Sequence, residues 1–144
     1  MKKSTSVNLS ALTQAELSTE LAATSRQLLQ LNRLSQPLTR AVACHRASEM
    51  HYRLGLAEAT DAKYATRLER ALKLIDEAIC LTLGACTPRL SADYMLIRMK
   101  ILEELGCHAE ARAAYETLTG YVATYPHLSL RLKSPPPTPQ KTAV

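Results

Sequence analysis

The chain contains neither phenylalanine nor tryptophan, and its 144 residues include only six tyrosines and four glycines. Hydrophobic residues nevertheless make up 47% of the sequence, which excludes wholesale disorder. Leucine, alanine, glutamate, arginine and lysine dominate instead, and these residues favour helices. No apolar run approaches the roughly 20 residues that a membrane-spanning helix needs. The composition therefore predicts one all-α domain that does not span a membrane.

Catalytic motifs with a fixed spacing are also missing. The chain has no Gly-rich phosphate loop, no GxSxG and no HExxH. Its four cysteines form no CxxC pair, and their spacing matches neither a zinc site nor a disulfide framework. We therefore expect a non-enzymatic protein with no cofactor or metal and with reduced thiols.

The N-terminal segment, MKKSTSVNLSALTQAEL, lacks the apolar stretch of a signal peptide, so we expect a cytoplasmic protein. Residues 1–12 are predicted to be flexible, and Thr13 begins the first helix. Thr13 and Glu16 have the spacing of a capping box, in which each side chain accepts a backbone N–H of the other residue.

Five antiparallel helices are predicted over a domain of residues 13–126. Four of them are expected at about 13–34, 38–59, 62–83 and 108–124, and the fourth in chain order begins at Thr87-Pro88 or at Ser91 and ends at Gly106. Leu29 and Leu34 are assigned to the buried face of the first helix, and Val42 to that of the second. Gly84 is the expected C-terminal cap of the third helix. In the fourth, apolar residues ending in Leu102 and Leu105 form one stripe, and Gly106 marks the turn to the fifth helix.

The net charge of +5 is concentrated at the two ends of the chain. Five of the 18 basic residues lie at the N-terminus or after the last acidic residue, Glu116, which leaves 13 basic and 13 acidic residues in the body. The helical body is therefore neutral, and this argues against a specific nucleic-acid-binding domain. Weak polyanion binding through the basic termini stays open as an alternative.

Two helical segments of the chain can be aligned with an offset of 40 residues. Ala71 and Ala111 coincide in this alignment, as do the larger Ile75 and Tyr115. With Gly106 at the turn before the second segment, the pattern resembles the tetratricopeptide repeat family. The resemblance implies stacked helical hairpins, in which small and large residues interlock. An unrelated helical bundle is the alternative.

Tetratricopeptide repeats bind extended or helical peptides of a partner protein in a concave groove. The resemblance therefore implies that the fourth helix carries the partner-binding residues. Lys100 and Arg98 would hold a partner carboxylate through charge-assisted hydrogen bonds. The full set of predicted partner-binding residues is Asp93, Leu96, Arg98, Lys100 and Glu103.

Residues 127–144 form a separate predicted segment, a basic tail with four prolines and no acidic residue. Such a composition predicts an extended, disordered chain.

The sequence as a whole predicts a module that binds another protein, either an adaptor or a small chaperone. One alternative is a structural protein that self-associates, as a homodimer, through its first two helices. The other is a helical regulatory domain that binds nucleic acid weakly through its basic termini.

Overall fold

The computed structural model describes residues 12–125, and within this range the backbone forms five α-helices and no strand. Connections of three to six residues join consecutive helices, which therefore run antiparallel. The all-α, five-helix prediction is confirmed. The predicted flexible N-terminus and the predicted Pro-rich tail fall on residues 1–11 and 126–144, outside the described residues. The helices are α1 (Gln14–Gln30), α2 (Pro37–Leu56), α3 (Asp61–Gly84), α4 (Pro88–Glu104) and α5 (His108–Thr124).

The start of α1 follows from local sequence signals. The Thr13 hydroxyl accepts the Glu16 N–H at 3.1 Å, and the Glu16 carboxylate accepts the Thr13 N–H at 2.8 Å. Leu12, just before the cap, packs against the cluster that contains Leu17, so a hydrophobic staple accompanies the capping box. The predicted capping box is confirmed.

The helices pack in chain order, and the contact between α2 and α3 is the most extensive. Small side chains allow the close approach: Ala41 and Ala71 have no exposed surface. Gly55 serves the same purpose, because a Cβ atom there would lie 3.1 Å from the Cβ of Arg67. Leu68 and Ile75 are fully buried in this contact, and each stabilises the fold by roughly 1.5–3 kcal/mol.

Helix α4 is apolar on two faces. Tyr94 and Ile101 join the core cluster of α2 and α3, whereas Ala92 forms a second cluster with Leu118 of α5. The single stripe predicted from the sequence is therefore incomplete. A helix that packs against neighbours on both sides needs two apolar faces. A search for one apolar stripe at helical spacing identifies only one of these faces.

The turns after α3 and α4 share one geometry, the Schellman motif. Cys86 and Gly106 occupy the left-handed position of these turns, with φ angles of 56° and 81°. The prediction that Gly84 caps α3 is wrong, because Gly84 is the last helical residue and Cys86 takes the left-handed conformation. A cysteine in this conformation carries a steric cost that glycine avoids.

Arg40 connects the first three helices. Its Nη1 atom donates to the backbone carbonyls of Leu28 at 2.7 Å and Leu31 at 3.2 Å, at the C-terminal end of α1. Its Nε atom donates to Oε2 of Glu77 on α3 at 2.5 Å. One side chain on α2 thus donates to two carbonyls at the C-terminal end of α1 and pairs with a carboxylate on α3.

Three apolar residues assigned to buried faces are exposed instead. Leu29 is 87% exposed, Leu34 is 92% exposed and Val42 is 50% exposed, so these assignments are wrong. The first helix ends at Gln30 and not near Leu34, because the Leu31 N–H turns back to the Leu28 carbonyl. This early end places Leu34 in the connection to α2.

Candidate functional site

Helices α2 and α4 both pack against α3, and they approach each other on one side of it. The rings of His45 and Tyr94 stack between the two helices, with centroids 4.9 Å apart and an interplanar angle of 26°. Beside this stack is an open cleft of about 180 Å³. The side chains that border the cleft are His45, Glu49, Tyr52 and Arg53 from α2 and Ile97 and Lys100 from α4.

Ser48 and Ile101 complete the lining at the buried side of the cleft. Ile101 is 2% exposed and Ser48 is fully buried. The Ser48 hydroxyl donates to the backbone carbonyl of Ala71 at 2.8 Å. Ser48 and His45 are one helical turn apart, as a catalytic nucleophile and its base can be. The Ser48 hydroxyl, however, is directed toward the α2–α3 interface. Ser48 therefore acts here as a packing residue.

His45 closes one end of the cleft. Its pKa is lowered, chiefly because burial disfavours the charged imidazolium, while the carboxylates of Glu49 and Asp93 act in the opposite direction. The ring is therefore neutral at pH 7. The His45 ring borders the cleft and stacks on the buried ring of Tyr94 behind it.

Some charged side chains along the cleft have an oppositely charged partner and others have none. Oε2 of Glu49 accepts hydrogen bonds from Nε and Nη2 of Arg53 at 3.3 Å and 3.2 Å. Oε1 of Glu49 lies 4.0 Å from Nε2 of His45. Lys100 is exposed, and no carboxylate within residues 12–125 forms an ion pair with it. The rim of the cleft therefore presents an ammonium group to solvent.

Two tyrosines interact with Glu104, and one of them, Tyr52, borders the cleft. The Tyr64 hydroxyl donates to Oε1 of Glu104 at 2.8 Å and so joins α3 to α4. Burial, together with this carboxylate, raises the pKa of Tyr64 to about 12. Burial also raises the pKa of Tyr52, and Glu104 acts in the same direction. Both tyrosines are protonated donors at pH 7.

The predicted partner-binding residues of α4 fall on different sides of the helix. Lys100 borders the cleft, and the Asp93 carboxylate is close enough to influence His45. Leu96 packs instead against the cluster with α5, and Glu103 is half-buried near the end of α4. Of the five predicted residues, the structure thus places Lys100 at the border of the cleft and Asp93 near His45.

Arg98 and Lys100 do not share a face of α4. Residues two positions apart point about 200° from each other around a helix. Nε of Arg98 donates to Oδ1 of Asp76 on α3 at 2.6 Å. Arg98 therefore has an intramolecular partner, whereas Lys100 has none among the described residues. This arrangement does not favour the prediction that Arg98 and Lys100 together bind one carboxylate of a partner, which stays a prediction.

The residues that α2 contributes to the cleft are not among those predicted from the sequence. His45, Glu49 and Tyr52 recur at spacings of four and three residues, which places them on one helical face. That signal was available in the sequence. The spacing does not show that this face borders a cleft, because that depends on how α3 packs against both α2 and α4.

Among residues 12–125, no group of three or more histidines, cysteines or acidic residues is arranged to hold a metal ion. None of the five described helices is long and apolar enough to cross a membrane. Comparison with known proteins finds no matching family model, no similar curated protein and no similar solved structure.

Proposed function

We propose that the protein is a protein–protein interaction module that binds a segment of a partner protein in the cleft between α2 and α4. The observation that carries this proposal is the ammonium group of Lys100, unpaired at the rim of a cleft with an apolar interior. An exposed lysine beside buried isoleucine is suited to a ligand that offers a carboxylate and an apolar group together.

The size of the cleft favours a side chain as its occupant. Pockets for small molecules and cofactors enclose about 300–1,000 Å³, whereas this cleft encloses about 180 Å³. One apolar side chain would fill the space against Ile97 and Ile101. An adjacent aspartate or glutamate would then pair with Lys100. The ligand class is therefore an acidic and apolar peptide segment.

We further propose that α2–α3 and α4–α5 are two hairpins of the tetratricopeptide type. Ala71 and Ala111, which coincide in the internal alignment, are both fully buried in the second helix of a hairpin. The first helices of the two hairpins, α2 and α4, both border the cleft, as first helices border the groove of such repeats. This arrangement supports a role as an adaptor or small chaperone.

Selection of random 12-residue peptides on the full chain tests the proposed ligand class. Peptides that bind should share an acidic residue next to an apolar one, and Lys100→Glu should abolish their binding. Lys73→Glu is the matched control, because Lys73 is an exposed lysine on α3 that does not border the cleft. Selected peptides that bind Lys100→Glu as well as the unmodified chain would contradict the proposal.

A second candidate function is self-association through the first two helices. Exposed apolar side chains near the α1–α2 connection favour it. At least half of the surface is exposed at Leu29 near the end of α1, at Leu34 in the connection and at Val42 near the start of α2. Sedimentation velocity of the full chain and of Leu34→Ser tests this candidate. A dimer that the substitution converts to a monomer would support it, and a monomeric full chain would exclude it.

A further inference from the structure

A basic face lies on α3, away from the α2–α4 cleft. Lys63, Arg67 and Arg70 follow one another at spacings of four and three residues, so their side chains emerge from one face of the helix. They border an open depression of about 240 Å³ together with Glu58, Ala62 and Thr66. Three positive charges and one negative charge thus meet at this place.

Arg67 is held in position by two partners. Its Nε atom donates to Oε2 of Glu58 at 3.1 Å, and its Nη1 atom donates to Nδ1 of His51 at 3.1 Å. The guanidinium has five N–H groups, so three donors remain for a ligand. Because the side chain is already ordered, little rotamer freedom would be lost when a ligand binds.

His51 adds no positive charge to this cluster. Its Nδ1 atom accepts from Arg67, so the imidazole is neutral. Burial, followed by the charges of Arg67 and Arg70, lowers the pKa of His51 to about 4. The field that lowers this pKa is the same positive field that an anion in the depression would experience.

Lys63 and Arg70 have no such structural role. Both are exposed, and neither forms an ion pair with a carboxylate within the described part of the chain. Lys63 lies in the first turn of α3, where the helix dipole disfavours a cation. Like charges at these spacings also repel one another. The positions of Lys63 and Arg70 therefore destabilise the free protein slightly, and a bound anion would offset this repulsion.

We propose that the depression bordered by Lys63, Arg67 and Arg70 binds a compact, multivalent oxyanion of the phosphate type. Arg67 is the fixed anchor, and Lys63 and Arg70 are flexible arms that close on the ligand from either side. The depression is smaller than a typical small-molecule pocket, so it accepts a phosphate or diphosphate group and not a whole nucleotide.

Calorimetric titration of the full chain with inorganic pyrophosphate, at constant ionic strength, tests this proposal. We expect Lys63→Gln and Arg70→Gln each to weaken binding about five- to tenfold, which is less than the loss of a buried charge-assisted hydrogen bond because both side chains are exposed to solvent. Lys73→Gln is the control: it removes an exposed lysine of α3 outside the depression and should change the affinity less than twofold. Circular dichroism should show all three variants as helical as the unmodified chain.

A parallel titration with the oligonucleotide dT10 separates a phosphate site from general attraction of polyanions. Pyrophosphate binding that falls equally in all three variants, or that is absent at millimolar concentration, would overturn the proposal. Binding of dT10 but not of pyrophosphate would also overturn it, because a diffuse basic surface would then explain the charge cluster.

Discussion

Replacement of Arg40 by methionine should weaken the attachment of α1 to the rest of the fold. Methionine keeps an apolar stem of similar length, so the substitution removes the charge and the hydrogen bonds and leaves most of the packing. What is lost is the pair with Glu77 and the two hydrogen bonds to the Leu28 and Leu31 carbonyls. No other described side chain donates to these two carbonyls.

The expected loss of unfolding free energy depends on how far the Arg40 and Glu77 side chains are exposed to solvent. A hydrogen bond to a charged group contributes about 1.5–3 kcal/mol, but the side chains of Arg40 and Glu77 are 19% and 22% exposed and remain partly solvated. Water can also reach the freed carbonyls, and Glu77 can strengthen its existing contact with Arg33, at 3.5 Å. We therefore expect a decrease of about 2 kcal/mol in the free energy of unfolding.

Urea denaturation followed by circular dichroism measures this change. With a slope of about 2 kcal/mol per molar urea, the midpoint should fall by about 1 M. The control is Arg33→Met, because Arg33 contacts the same carboxylate but is 62% exposed, so it should cost less than about 0.5 kcal/mol. Equal midpoints for the two variants would refute the proposed role of Arg40. Amide exchange should rise first in α1.

Cys86→Gly should stabilise the fold by about 1 kcal/mol, since it relieves a left-handed cysteine, and Gly106→Ala should destabilise it by about as much. The pKa of His51 is about 4 when folded and 6.5 when unfolded, so the unfolded state binds more protons between these values. The free energy of unfolding should therefore fall as the pH drops through 6.5 and should be about 2 kcal/mol lower at pH 5 than at neutral pH. His51→Gln should remove this contribution to the pH dependence. Burial raises the pKa of Cys44 to about 11, so a thiol reagent at pH 7 should modify the exposed Cys80 quickly and Cys44 only on unfolding.

Each of these expectations has a definite contrary result. Unchanged thermal stability of Cys86→Gly would mean that the turn relaxes its backbone without cost. Parallel pH profiles of the unmodified chain and His51→Gln, measured by chemical denaturation, would show that His51 titrates alike in both states. Rapid labelling of all four thiols in mass spectrometry would contradict the burial of Cys44.

Local signals in the sequence identified the elements of the fold well. The capping box at Thr13, the proline at the start of α4 and the glycine at the turn before α5 each act through neighbouring residues, so they can be read without tertiary structure. The alternating small and large residues of α3 likewise predicted the buried Ala71 and Ile75.

Features that depend on more than one helix could not be predicted in the same way. Leu29 and Leu34 look like core residues by periodicity, but their burial depends on where α1 ends and which helix covers it. Arg40 looks like any charged residue in a surface helix, because its partners are 9 to 37 residues away. The cleft itself arises from two helices that are not consecutive.

Amide chemical-shift mapping tests the central claim, peptide binding between α2 and α4, most directly. The full chain, labelled with ¹⁵N, would be titrated with a peptide chosen by the selection described above. We expect the largest shifts at His45, Tyr52, Ile97 and Lys100, and we expect Lys100→Glu to abolish them. Shifts confined to α5, to the α1–α2 connection or to the chain termini would contradict the assignment of this cleft as the binding site.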